Sequence, residues 1–83
     1  MWLIESRFKF VNVKGQVQDD LRLRSWDVGE VYSSQVKLNF SDWFYQEHMP
    51  IGYVHDTLKV RVRKMRPKEL EAFQKNGKLP ERF

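Results

Sequence analysis

Cysteine is absent from the 83-residue chain. That excludes a disulfide framework and a thiolate metal site, and it fits a reducing compartment. Long apolar runs are missing as well. Met1-Trp2-Leu3-Ile4 gives way at once to Glu5 and Arg7, leaving nothing long enough for a signal peptide or a membrane span. The expectation is a soluble, cytoplasmic protein with no membrane association. There is no Gly/Ser-rich linker, internal repeat or low-complexity segment. No Gly-rich phosphate loop is present, and no helix-turn-helix pair can be drawn.

The most informative absence is that of acids from the alternating segments. In Leu58-Lys59-Val60-Arg61-Val62-Arg63, a strand would point Leu58, Val60 and Val62 one way and the three bases the other. Leu21-Arg22-Leu23-Arg24, Arg7-Phe8-Lys9-Phe10 and Val36-Lys37-Leu38 repeat the pattern. With Lys64 and Arg66 these runs hold ten of the fifteen Lys and Arg. Strands that were merely solvated would carry both signs of charge, whereas these runs carry one. A sheet built from them is expected to show one apolar face and one cationic face.

The bulk composition is that of a folded domain: 41% hydrophobic and 14% aromatic residues are enough for one modest core. Residues 1–83 are therefore read as a single domain. The net charge of +4 is unevenly spread. Residues 1–56 carry six bases against eight acids, and residues 57–83 carry nine bases against three acids. A pI near 9.6 fits the electrostatic footprint of nucleic-acid binders.

Strands are expected over Trp2 to Val13, Val17 to Trp26, Val31 to Phe40 and Leu58 to Met65, separated by turns at Lys14-Gly15-Gln16 and Asp27-Val28-Gly29. Phe8 and Phe10 fall on one face of the first strand and Val11 and Val13 on the other, which suggests a bulge or bend. Asp19-Asp20 could interrupt the second strand and Ser33-Ser34 the third. Ser41 to Thr57 is irregular, with Ser41 able to cap one helical turn, Pro50 to stop it, and a short strand possible at Tyr53-Val54. One helix is expected at about residues 67–76. Pro67 starts it, Glu69 and Glu71 suit its N-terminal end, Lys75 its last turn and Gly77 its stop, with Leu70 and Phe73 as apolar contacts. No other large helix is expected, so strand should exceed helix. The fold class is mainly β with one C-terminal helix, a small antiparallel barrel or curled sheet, OB-like or SH3-like.

Arg22, Arg24, Lys59, Arg61 and Arg63 are the expected phosphate-holding residues, with Lys64 and Arg66 extending the track. Trp43, Phe44 and Tyr45 cannot all point inward from one strand, so at least one is expected near the surface, where it could stack on an unpaired base or, equally, cap the core. His48 and His55, flanked by Glu47 and Asp56, are the only acid–base pair on offer, and their spacing matches no metal-ligand pattern. No catalytic residue, metal or cofactor is expected. The partner expected is a nucleic acid, RNA or a single strand in preference to duplex DNA, since no helix suits the major groove.

Phe8-Lys9-Phe10-Val11 resembles the aromatic strand of RNA-recognition and cold-shock sheets, without the glycines of that signature. As a compact, cysteine-free, aromatic-rich domain from Met1 to Phe83, the chain resembles small accessory proteins of tailed phages. That resemblance implies an alternative function, an inhibitor that binds a host enzyme, a ribonuclease toxin or a ribonucleoprotein, its basic face meeting an acidic host protein or the ribonucleoprotein.

Overall fold

In the computed structural model, which describes residues 1–83, Trp2–Val11 forms the central strand, β1. Its even positions Trp2, Ile4, Ser6 and Phe8 are all buried; on the odd side Arg7 and Lys9 are exposed, while Leu3 is buried. The turn from Asn12 to Gln16 is closed by the Asn12 side-chain carbonyl, which accepts from the Lys14 and Gln16 backbone N–H groups at 2.9 Å each. Such a side chain stands in for a backbone carbonyl, which is why Asn is favoured in turns. Strand β2, Val17–Trp26, pairs antiparallel with all of β1, from Val11 opposite Val17 to Trp2 opposite Trp26. Strand β3, Lys59–Lys64, pairs antiparallel along the other side, with Trp2 opposite Lys64 and Arg7 opposite Lys59. The order is β2-β1-β3 in one sheet.

Of the expected barrel or curled sheet, the antiparallel sheet is present but open, so the closed barrel is corrected. Three strands leave β2 and β3 each without a second strand neighbour, and too few strands are present to close. The phase change at Val11 is not a bulge either. Pairing runs without interruption to Val11–Val17, and the change marks where the hairpin leaves the core, since Val13 and Val17 are exposed. Asp19 and Asp20 do not break β2, because Asp19 faces Lys9 across the pair and Asp20 binds Arg22 within the strand.

The larger correction lies at Val31 to Phe40, expected as a strand. Ser33–Trp43 is a helix, α1, continued by a π-helical turn, Phe44–His48. Val36, Leu38 and Phe40 alternate like a strand, but the series that decides the structure is Val36, Phe40 and Phe44, spaced by four on one helical face. Those three are buried, and Leu38 is exposed. Ser33-Ser34 is the first turn of α1 rather than a break. Ser41 lies inside the helix, its hydroxyl donating to the Lys37 carbonyl at 2.8 Å. With this second helix, helical residues equal strand residues in number.

Helix α1 and the π-helical turn cover the even-numbered face of the sheet. Trp2, Ile4, Phe8, Val36, Phe40, Phe44 and Val60 make one core cluster. Beyond β3 the edge of β1 is completed by the chain from Gly52 to Thr57. The Val11 N–H donates to the Gly52 carbonyl at 2.8 Å and the Val54 N–H to the Lys9 carbonyl at 3.0 Å, while the Lys9 N–H donates to the Thr57 hydroxyl at 3.0 Å. The strand expected at Tyr53-Val54 amounts to a single bridge, Phe10 to Tyr53.

Helix α2, Pro67–Asn76, lies where expected. Pro67 occupies its first turn, the Glu69 carboxylate accepts the Arg66 N–H at 2.8 Å, and Gly77, at φ +68°, donates to the Phe73 carbonyl at 2.8 Å. Leu70 and Phe73 are half-buried. No helix is long and apolar enough to cross a membrane.

Phe40→Ala is expected to cost about 3–5 kcal/mol of stability, as large aromatic core truncations do. Leu38→Ala should stay within about 0.5 kcal/mol, as exposed substitutions do. Urea unfolding measures both, and the opposite ranking would place α1 the wrong way round. Gly52→Ala should cost more than Gly15→Ala. Both positions have positive φ, which costs an L-residue about 1–2 kcal/mol, but only at Gly52 would the new Cβ run into the Val11 carbonyl oxygen.

Candidate polyanion interface

The expected phosphate-holding residues do not share one face. In both pairings every residue meets a partner of the same parity, Trp2 with Trp26 and Trp2 with Lys64. Directly opposite residues in an antiparallel pair project to the same side. Even-numbered residues of all three strands therefore face α1, and odd-numbered residues face away. Arg22 and Arg24 lie on the helix-covered side with Ser6 and Ile4, while Lys59, Arg61 and Arg63 lie on the outer side with Arg7, Glu5 and Leu3. The single cationic face expected from the alternating runs is thus two separate groups.

On the outer side, Glu5, Arg7, Lys59 and Arg61 line an open cleft of about 370 Å³. Arg61 forms a two-pronged bond with Glu5, Nε to Oε1 at 2.8 Å and Nη2 to Oε2 at 3.0 Å. Hydrogen bonding from Arg61 holds the Glu5 carboxyl below its usual range, partly offset by burial. Arg7 and Lys59 sit directly opposite each other, and neither has an acid within ion-pair distance. Like charges directly opposite destabilise a sheet. Lys9, next along this face of β1, makes only a loose contact with Asp19, 3.9 Å away and exposed. Leu21 lies opposite Arg7 and Leu23 opposite Glu5, so an apolar strip borders the cations.

Arg63 is engaged elsewhere. Its Nε donates to the Phe83 main-chain oxygen at 2.6 Å, Nη1 to Glu69 Oε1 at 2.7 Å and to the Lys64 carbonyl at 3.2 Å, and Nη2 to Glu69 Oε2 at 2.9 Å. The Phe83 ring lies under both Arg61 and Arg63, 4.5 and 5.3 Å from centroid to guanidinium. Arg63 therefore fastens α2 and the C-terminal residues to the sheet, and its donors are occupied. Lys64 is even-numbered and sits 5.5 Å from the Trp2 ring centroid. Arg66 caps α2.

On the helix-covered side, Arg22 binds Asp20 at 2.9 Å and lies 5.8 Å from the Phe8 centroid. Arg24 lies 4.5 Å from the Trp43 centroid and 5.8 Å from Phe40. The three consecutive rings have three settings, because they leave a helical segment and not a strand. Phe44 is core. Trp43 is half-buried, packed edge-on to Trp26 at 5.3 Å and stacked on His48 at 3.6 Å and 17°. Tyr45 is exposed, its hydroxyl 3.2 Å from that of Tyr53. That hydrogen bond, with burial, pushes the Tyr45 phenol up to about 12. His55 packs edge-on to Tyr53 at 6.2 Å, and no three His, Asp or Glu side chains group as metal ligands.

Arg7, opposite Lys59, and Lys9, loosely paired with Asp19, are part of the basic runs but not among the expected phosphate ligands. Their signal was their alternation with Phe8 and Phe10.

Arg63, with Arg66, holds the Glu69 carboxyl down to about 2. The unfolded chain binds that proton more tightly than the folded one between the ordinary carboxylate range and pH 2, so acid favours unfolding there. The stability advantage of the wild type over Glu69→Gln should be complete near neutral pH and above about pH 5, and vanish as pH falls to about 2. Thermal melts of both proteins across that range check this, and a pH-independent difference would mean that the ion pair does not form.

Comparison with protein-family models, curated proteins and solved structures finds no match to this chain, so its functional reading rests on its own residues.

Proposed function

We propose that the chain is a non-enzymatic module that binds nucleic acid, RNA or a single strand in preference to duplex DNA, across the outer face of the sheet. The observation that carries this reading is the pairing of Arg7 with Lys59. Two unneutralised cations directly across a strand pair repel each other, and a phosphate between them removes the repulsion while releasing its own counterions. Lys9 extends the track along β1, and Arg61, whose Nε and Nη2 are held by Glu5, adds its remaining Nη1 on β3.

Leu21 and Leu23 beside the cations favour a single strand, since unpaired bases bring apolar faces that a duplex keeps stacked. Neither helix offers a basic surface for the major groove. Lys37 is the single base of α1, and Lys68 and Lys75 of α2 are offset by Glu69 and Glu71.

A second reading, a protein-binding inhibitor of the kind the phage-accessory resemblance implies, is favoured by the hairpin tip. Val13 and Ile51 are fully exposed there, and with Phe10 and Val11 they line an apolar hollow that no part of the chain fills.

Fluorescence anisotropy with a labelled single-stranded oligonucleotide tests the first reading. With three or four phosphates neutralised, log affinity should fall against log salt with a slope of about −2 to −3. Arg7→Gln combined with Lys59→Gln should weaken binding at least tenfold while leaving the melting temperature equal or higher, because a repulsive pair is removed. No binding at about 50 mM salt would overturn the reading. A protein partner retained after nuclease treatment, and lost in Ile51→Asp, would favour the inhibitor.

A further inference from the structure

The helix-covered side carries a second cationic group that the outer cleft does not use. Ser6, Phe8, Arg22, Arg24, Phe40, Trp43, Phe44 and His48 enclose a cavity of about 50 Å³ between β2 and the helical segment. Its walls are aromatic and its polar groups are two guanidiniums, a hydroxyl and an imidazole. A cavity this size exceeds the minimum for a single water of roughly 10–15 Å³.

Three features of these side chains need explaining. Arg24 has no acid partner, and its Nε is buried without a hydrogen bond. An unpaired buried donor costs about 1–3 kcal/mol, and more on a charged group. Burial and the neighbouring charge of Arg22 both push the Arg24 guanidinium below its ordinary value, which is the direction of an environment that disfavours the cation. Ser6 is the one buried polar residue of the core, and it lines the same cavity. A valine or alanine there would fill a strand position facing a helix at lower cost. Finally, the chain departs from α-helical geometry at Phe44–His48, and that π-helical turn presents His48 flat against Trp43 at the cavity wall. Such turns are unusual and recur at functional sites.

We propose that Ser6, Arg22, Arg24 and His48 form a pocket for one phosphate monoester group. Side chains at positions 22 and 24 leave the same side of β2 about 6–7 Å apart, a separation that lets two guanidiniums flank a single tetrahedral anion. The forked donors of arginine match phosphate oxygens two at a time. The Ser6 hydroxyl can donate to a third oxygen, and a ring nitrogen of His48 to the rim. A phosphate monoester brings close to two negative charges at neutral pH; Arg24 has no acid of its own, and Arg22, whose Nε and Nη2 are held by Asp20, offers its remaining Nη1. Phe8, Phe40, Trp43 and Phe44 form the apolar inner wall, while Arg22 and His48 stand at the exposed rim. The pocket lies on the opposite side of the sheet from the Arg7–Lys59 cleft and does not depend on it.

Inorganic phosphate is the first probe, added at constant ionic strength against sodium chloride. Thermal melts should show a saturable rise in melting temperature, since a ligand that binds only the folded state stabilises it. Heteronuclear NMR should show the Trp43 indole and His48 ring signals shifting along the same saturation curve. Arg24→Gln and Arg22→Gln should each weaken the affinity at least tenfold. Without phosphate, Arg24→Gln should melt close to the wild type, because the loss of a guanidinium whose Nε is buried without a partner offsets the loss of its contacts with Trp43 and Phe40. Arg7→Gln with Lys59→Gln should titrate with phosphate like the wild type, which separates this pocket from the outer cleft. A rise that does not saturate, or that is the same in the Arg22 and Arg24 variants, is general salting-out and overturns the proposal. So does loss of phosphate binding in the outer-face variant. If a variant fails to fold, the wild-type NMR titration decides, and unmoved Trp43 and His48 signals overturn the pocket. The source of the group is read from a second pair of probes. A 5′-phosphorylated oligonucleotide preferred tenfold over its 5′-hydroxyl form, with the preference lost in Arg24→Gln, supports the pocket with a strand end as its ligand. Equal oligonucleotide affinities alongside saturable phosphate binding support it with a small phosphorylated molecule.

Discussion

The structure depends on the register of β1 against its two neighbours. Because strand side chains alternate sides, one register choice sorts every residue of a three-stranded sheet between its two faces. With Trp2 opposite both Trp26 and Lys64, even numbers go to the helix and odd numbers away from it. The core follows directly, since Ile4, Phe8 and Val60 then face Val36, Phe40 and Phe44. The two cationic groups follow as well. A slip of one residue in β2 would bring Leu21 and Leu23 under the helix and return Arg22 and Arg24 to the outer side. Trp26 against Phe40 and Trp43, at 5.6 and 5.3 Å, opposes that slip.

Much of the local structure was legible in the chain. The bounds of β2 and α2 follow from turn and capping residues that act within a few positions, and β3 from its strict alternation. The first helix was not legible as a helix, because Val36, Leu38 and Phe40 satisfy a period of two as well as Val36 and Phe40 satisfy a spacing of four. Only the continuation to Phe44, beyond the expected end of the element, separates the two. The candidate site was legible in its residue types and not in its arrangement. Alternation tells that Arg22 and Arg24 share a side, and that Lys59, Arg61 and Arg63 share a side, but not that the sides differ. That is settled by pairing between segments far apart in sequence. The engagement of Arg63 was hidden for the same reason, since Glu69 reaches it from α2.

Charge in this protein is divided between holding the fold and standing free. Glu5 and Glu69 each grip one arginine of β3 with two hydrogen bonds, in the forked geometry that suits guanidinium to carboxylate. One grip lies along the sheet and the other ties a helix to it. Arg7, Lys59 and Arg24 are left without acids, on two sides of the same three strands. Some junctions between elements are thus neutralised by a carboxylate, and the β1–β3 pairing at Arg7 and Lys59 is not.

The central strand is also the first in sequence, and that has a kinetic consequence. Pairing of β1 with β2 needs only the short Asn12–Gln16 turn, so this hairpin can form by local pairing, on a timescale of about 1–10 μs. The partner for the other edge of β1 arrives much later. Closing a loop roughly ten times longer adds about 2 kcal/mol of entropic cost, and the same step brings Lys59 up against Arg7. Until then one edge of β1 stands open, with the apolar residues of α1 to cover one of its sides but nothing to complete its hydrogen bonds. The step that ends this exposure is the one that electrostatic repulsion opposes, so dissolved salt, or any anion lodged between the two strands, would hasten it.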